Sequence, residues 1–133
     1  MIVTGAFLAE AAATVDNKLN VQGGVLSRYT VGPDRRAVFV MVVLTRGEAE
    51  EGADADREVQ VQVRPPTLEE PVTTKFEVPE SSVGEFPGFV YFNIDLALPF
   101  DGRWIFEVSA GESCISLPLE VDAWAPPPPS IGI

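Results

Sequence analysis

The sequence predicts an all-β protein, an antiparallel β-sandwich of about eight short strands. Three observations predict it. Apolar side chains recur at every second position in several stretches, the period of a half-buried strand. Val90, Phe92, Ile94, Leu96 and Leu98 share one side of such a stretch, and Tyr91, Asn93, Asp95 and Ala97 the other. Turn-forming residues punctuate these stretches at short intervals, and no convincing long helix competes with them. A repeat of roughly 20–50 residues is also missing, which removes the solenoid architectures.

With 133 residues, 46 % of them apolar, the chain suits one domain that buries a real core, placed at 1–124, followed by a proline-rich tail at 125–133. Nine Lys and Arg against 20 Asp and Glu leave a net charge of -11. Phosphate backbones and anionic lipid surfaces are repelled, so neither nucleic acid nor a membrane is expected as a partner. The longest apolar run, Ala37 to Leu44, has a strand's length and falls short of the roughly 18–20 residues of a spanning helix. The lone Cys114 forms no internal bridge. The start of the sequence has neither the basic segment nor the long apolar stretch of a signal peptide, and a cytoplasmic location is expected.

Taken in order, Ile2 to Val15 is the ambiguous stretch. Ala6 to Ala13 has helix-forming composition, but it lacks a good N-cap and ends in the β-branched pair Thr14-Val15 before the turn Asp16-Asn17-Lys18. Helix and strand both stay open for residues 6–13; the reading taken is two strands joined by a tight hairpin. Leu19 and Val21 resume alternation, Gly23-Gly24 mark a bulge or a close backbone crossing, and Val25 to Val31 continues.

From Ala37 to Thr45, Val38, Val40, Val42 and Leu44 share one face and Phe39, Met41 and Val43 the other. Both faces are apolar. Such a strand is covered twice, by its own chain or by a partner, and Phe39, Met41 and Val43 are the candidate interface positions. Arg46 to Arg57 is polar and glycine-rich, a solvated loop. Glu58 to Arg64 alternates, with Val59, Val61 and Val63 inward, and Pro65-Pro66 ends it. Thr73 to Val78, stopped by Pro79, is short enough to be an edge strand.

Phe89 to Ser109 reads as the central hairpin, two strands joined by Pro99-Phe100-Asp101-Gly102, with Trp104, Phe106 and Val108 turned to the same interior as Phe92 and Ile94. A hairpin alone is marginal in water and needs a second sheet across it. Gly111-Glu112 turns the chain into Ser113 to Asp122, with Ile115, Leu117, Leu119 and Val121 inward; Pro118 in mid-strand argues for an edge or a bulge. Pro126 to Pro129 extends as polyproline II. The tail either holds the terminus off the body or presents Ile131 and Ile133 to a groove or open strand edge on a neighbouring molecule.

The phrase Leu98-Pro99-Phe100-Asp101-Gly102-Arg103-Trp104-Ile105-Phe106 resembles the entry to a late strand of immunoglobulin-like sandwiches, where an aromatic follows a glycine by two positions. The paired cysteines of that fold are missing and the acidic residue sits one position late, so the topology expected is immunoglobulin-like or a related Greek key. Phe7-Leu8, the small-residue run after it, the turn at Asp16-Asn17-Lys18, Leu19-Asn20-Val21 and Gly23-Gly24, with the later Leu98/Gly102/Trp104/Phe106 phrase, resemble a family of small bacterial all-β proteins catalogued as a domain of unknown function. The likeness runs to about Val121. It implies an all-β bacterial cytoplasmic protein and brings no catalytic residues.

The chain contains no histidine, so Ser-His and Cys-His catalytic pairs and imidazole metal ligands have nothing to stand on. Cys114 has no base or cation among its strand neighbours to activate it. Asp95 and Asp101 are the acids set in rigid apolar surroundings, where a sheet-surface or turn-capping role is the ordinary one. Glu48, Glu50, Glu51, Asp54 and Asp56 offer oxygen ligands for calcium but lack the spacing of a known calcium loop. No dinucleotide, P-loop or paired-cysteine motif occurs, and no cofactor is expected; a small-molecule ligand is left open. The function expected is that of a non-enzymatic accessory or scaffold subunit acting through a protein partner or self-association. The alternative is a structural or decoration subunit of a phage or shell particle.

Overall fold

In the computed structural model, which describes residues 1–47, 57–125, 129 and 132, the chain is all-β with no α-helix among those residues. Its strands are β1 (Ile2–Ala9), β2 (Ala11–Val15), β3 (Lys18–Gln22), β4 (Arg28–Val31), β5 (Arg36–Arg46), β6 (Glu58–Arg64), β7 (Val72–Glu77), β8 (Gly88–Ala97), β9 (Gly102–Ala110) and β10 (Ser113–Ala123), with one 3₁₀ turn at Glu80–Ser82. The ambiguous Ala6 to Ala13 is extended. It breaks at Glu10 into two strands, and the stretch after the Asp16-Asn17 turn breaks likewise into β3 and β4, so ten strands stand where about eight were expected.

Two sheets face each other. One has the order β1-β5-β8 and is antiparallel; the other has the order β4-β10-β9-β6-β7 and is mixed, because β4 runs parallel to β10. Neither sheet closes on itself. The alternating sequence explains the core between them. Ala37, Phe39, Met41 and Val43 of β5, Val59 and Val61 of β6, Trp104, Phe106 and Val108 of β9 and Leu119 and Val121 of β10 are all buried in one cluster. A register shift between Val3 and Gly5 inserts one extra residue, so that Val3 and Leu8 both reach this cluster despite their odd separation.

The outer side of the three-stranded sheet is covered by the chain itself around Ala9, Val40 and Val42, while Val38 stays 62 % exposed. The β2–β3 hairpin bends back at Glu10 and is tied down through Thr14 Oγ1 against the Tyr91 hydroxyl (3.1 Å), and the stretch after it through the Leu26 amide donating to the Leu8 carbonyl (2.7 Å). Gly24 lies where an added Cβ would come within 3.0 Å of Val21 Cγ1 and 3.4 Å of Phe7 Cε2, the close crossing that the glycine pair implied. Ala9, Val40 and Val42 are thereby buried outside the main core.

Two expectations are corrected. Phe39, Met41 and Val43 are 1 %, 0 % and 0 % exposed; they face the other sheet, and it is Val38, Val40, Val42 and Leu44 that turn outward. Two-sided apolarity pointed to a β5 covered on both sides, which holds at Val40 and Val42 but not at exposed Val38, without telling which side was which. The stretch Phe89 to Ser109 is not a hairpin either. β8 pairs with β5, and β9 is flanked by β10 and β6 in the opposite sheet. Residues 98–101 therefore form an arch across the core, in which both strands present the inward faces read from the sequence.

That arch is tied at both ends. The Leu98 amide donates to the Arg35 carbonyl (2.9 Å), and Arg35 Nε returns a bond to the Leu98 carbonyl (2.9 Å). The same guanidinium meets the Asp101 carboxylate at 2.8 Å. Trp104 Nε1 donates to the Phe100 carbonyl at 2.9 Å.

Candidate interaction edge

A strand in mid-sheet uses the backbone groups on both its sides; one at the rim leaves every second N–H and C=O without a strand partner. β8 is such a rim. Its register with β5 runs without interruption from Gly88↔Thr45 to Ala97↔Arg36, and no strand lies on its other side among the described residues.

The other rims of the two facing sheets are protected by familiar means. β7 is six residues long, carries Lys75 and Glu77, and runs into Pro79. β4 has only four residues, and β1 is interrupted by its register shift while its Val3 amide donates to Ser113 Oγ of β10 (3.1 Å). In β10, Pro118 falls where β9 is the sole neighbour, because β4 joins only from Glu120. β8 runs ten residues with no proline, no lysine and no break in register.

Along this rim the core is incompletely covered. Ile94 is buried, but Val90, Phe92 and Leu96 are only half-buried. The Phe92 ring is stacked on Phe76 of β7 with centroids 4.1 Å apart and planes 23° apart, so the two rims meet at one open side of the molecule. A cleft of about 550 Å³ follows the first half of β8, floored by Gly88 to Tyr91. Thr14 and Asn17 of the β2–β3 hairpin bound it on one side. On the other stand Ser81 and Ser82, where the Ser82 carbonyl accepts from the buried Thr45 hydroxyl at 2.7 Å.

The acids singled out in the sequence do not come together: Asp95 pairs with Arg36, and Asp101 with Arg35. Cys114 is an exposed free thiol on β10. Glu48, Glu50, Glu51, Asp54 and Asp56, offered for calcium, lie outside the described residues, as do Ile131 and Ile133. What sequence reasoning misses is the rim itself, because alternation alone makes β9 the neighbour of β8. The signal was present in Leu98 and Phe100, apolar residues at a bend where a solvent-facing hairpin turn carries polar ones. No helix among the described residues is long and apolar enough to cross a membrane. Comparison of the chain with protein-family models, with curated proteins and with solved structures found no match.

Proposed function

We propose that this protein is a non-enzymatic, immunoglobulin-like β-sandwich that works through protein contacts, as an accessory or scaffold subunit, and that the β8 rim is its contact surface. The unguarded ten-residue edge carries the reading, since an open backbone row beside half-covered Val90, Phe92 and Leu96 is the template for adding a strand.

Strand order supports the immunoglobulin-like part. The orders β1-β5-β8 and β10-β9-β6-β7 correspond to strands A, B, E and G, F, C, C′ of a variable-type sandwich. The Phe39–Phe106 ring contact lies where that fold has its inter-sheet disulfide, and Trp104 Nε1 on the Phe100 carbonyl stands in for its tyrosine corner. In such a sandwich strand D flanks E. Here, among the described residues, no strand flanks β8.

The chemistry of the chain favours contact over catalysis. It has no histidine and a net charge of -11, which argues against acyl-transfer triads and against nucleic acid. The exposed Cys114 thiol fits a reducing cytoplasm, and the Phe7 to Gly24 phrase fits the small bacterial all-β family it resembles. The test is cross-linking of the purified chain in an extract of its host, with Asn93→Lys as the edge-blocked control. Polypeptide cross-links, to itself or to another chain, that map to β8 and vanish in the variant are expected. Cross-links equally strong in the variant, or none at all, would overturn the reading.

A further inference from the structure

We infer that the β8 rim pairs with the β8 rim of a second copy of this chain, antiparallel about Asn93, joining two three-stranded sheets into one of six strands. This rests on the protein-contact reading above and names the partner. The first ground is the self-complementarity of the strand. Antiparallel pairing about residue 93 sets Phe92 opposite Ile94 of the second copy, Val90 opposite Leu96 and Phe89 opposite the small Ala97, each on a matching face. Tyr91 then faces Asp95, a phenol donor to a carboxylate acceptor. The Tyr91 hydroxyl already meets Thr14 Oγ1, from which it can accept while donating to Asp95.

Charge is the second ground. Two copies that each carry -11 repel at a distance, so a seam between them must be locally neutral. β8 contains one charged residue, Asp95, and Arg36 of the same copy pairs with it. No like charges stand opposite in the antiparallel register. Size is the third. A ten-residue strand is about 33 Å long, and sheets about 10 Å apart with their outer side chains make a wall roughly 20 Å wide; the two copies together would bury on the order of 1,300 Å², within the range of stable interfaces. A two-fold pairing also closes on itself, leaving neither β8 open to further chains.

The test is the mass in solution, with a cross-link to read the register. The unaltered chain is expected at twice its 14.3 kDa in sedimentation equilibrium. Asn93 is exposed, so N93K leaves the fold intact but sets two ammonium groups against each other at the two-fold; its mass is expected to halve. S116K, which changes the net charge equally on exposed Ser116 of β10, is expected to stay dimeric. In an N93C/C114S background, opposed Cβ atoms fall within disulfide reach, and oxidation is expected to give a covalent dimer. A monomeric unaltered chain, or a dimer that survives N93K and fails to cross-link through residue 93, overturns the self-pairing. A monomer that still cross-links to a different protein through β8 overturns only the choice of partner, which separates this failure from that of the broader reading.

Discussion

The Phe39 ring meets the Phe106 ring edge-on, with 5.7 Å between centroids and 76° between planes. Each residue sits on the middle strand of its sheet, β5 in one and β9 in the other, so this contact joins the two layers at their centres. Both side chains are essentially without solvent exposure. Truncating either to alanine is expected to cost about 3–5 kcal/mol in denaturant unfolding, through lost burial and the cavity left behind. A double-mutant cycle is expected to return a coupling of about 0.5–1.5 kcal/mol, the part owed to ring geometry; strict additivity would mean that the rings contribute area alone.

Gly88 is required by space. A Cβ there would stand 2.1 Å from the Ser82 carbonyl oxygen, which is backbone and already holds the Thr45 hydroxyl. Gly88→Ala is expected to destabilise by about 1–3 kcal/mol, whereas Gly84→Ala, with nothing near its Cβ, is expected to stay within about 0.5 kcal/mol. Chemical denaturation of the two variants side by side measures the difference.

At its β9 end the arch is held by the indole hydrogen bond of Trp104. Trp104→Phe keeps a ring in the buried site but deletes the donor to the Phe100 carbonyl. A loss of about 1–3 kcal/mol is expected from the unpaired acceptor and the smaller ring. Little or no loss in the thermal midpoint would show that water replaces the indole there.

Salt distinguishes an apolar seam from an ionic one. With -11 on each copy, raising the salt from about 0.1 M to about 1 M shortens the screening length from roughly 10 Å to roughly 3 Å and is expected to tighten self-association. Weakening with salt, followed by sedimentation, would point instead to pairing through charges.

The faces of strands were legible in the sequence, and their neighbours were not. Val59, Val61 and Val63 of β6 and Leu119 and Val121 of β10 turn inward as their alternation required. Alternation, however, reports only which side chains meet the interior. Phe92 and Phe106 read the same whether their strands lie side by side or face each other across the core, and the arch at Leu98–Asp101 looked like a hairpin turn for that reason. Residues 6–13 were ambiguous because alanine serves helix and strand alike where it must fit under another layer; here Ala9 is buried with Gly24 close beside it, and the pairing of β1 with β5 decides for strand. For the rim of β8 the sequence holds only the indirect signal of apolar Leu98 and Phe100 at the bend, since a free edge is defined by what the rest of the chain fails to supply.

Amide hydrogen exchange along β8, resolved residue by residue in dilute protein, tests the open edge most directly. Alternate amides between Phe89 and Ala97 are expected to exchange fast while those bonded to β5 stay protected, and the fast set is expected to slow when the chain is concentrated. Uniform protection of β8 in dilute protein would contradict the account, because some other part of the same chain would then be covering the edge.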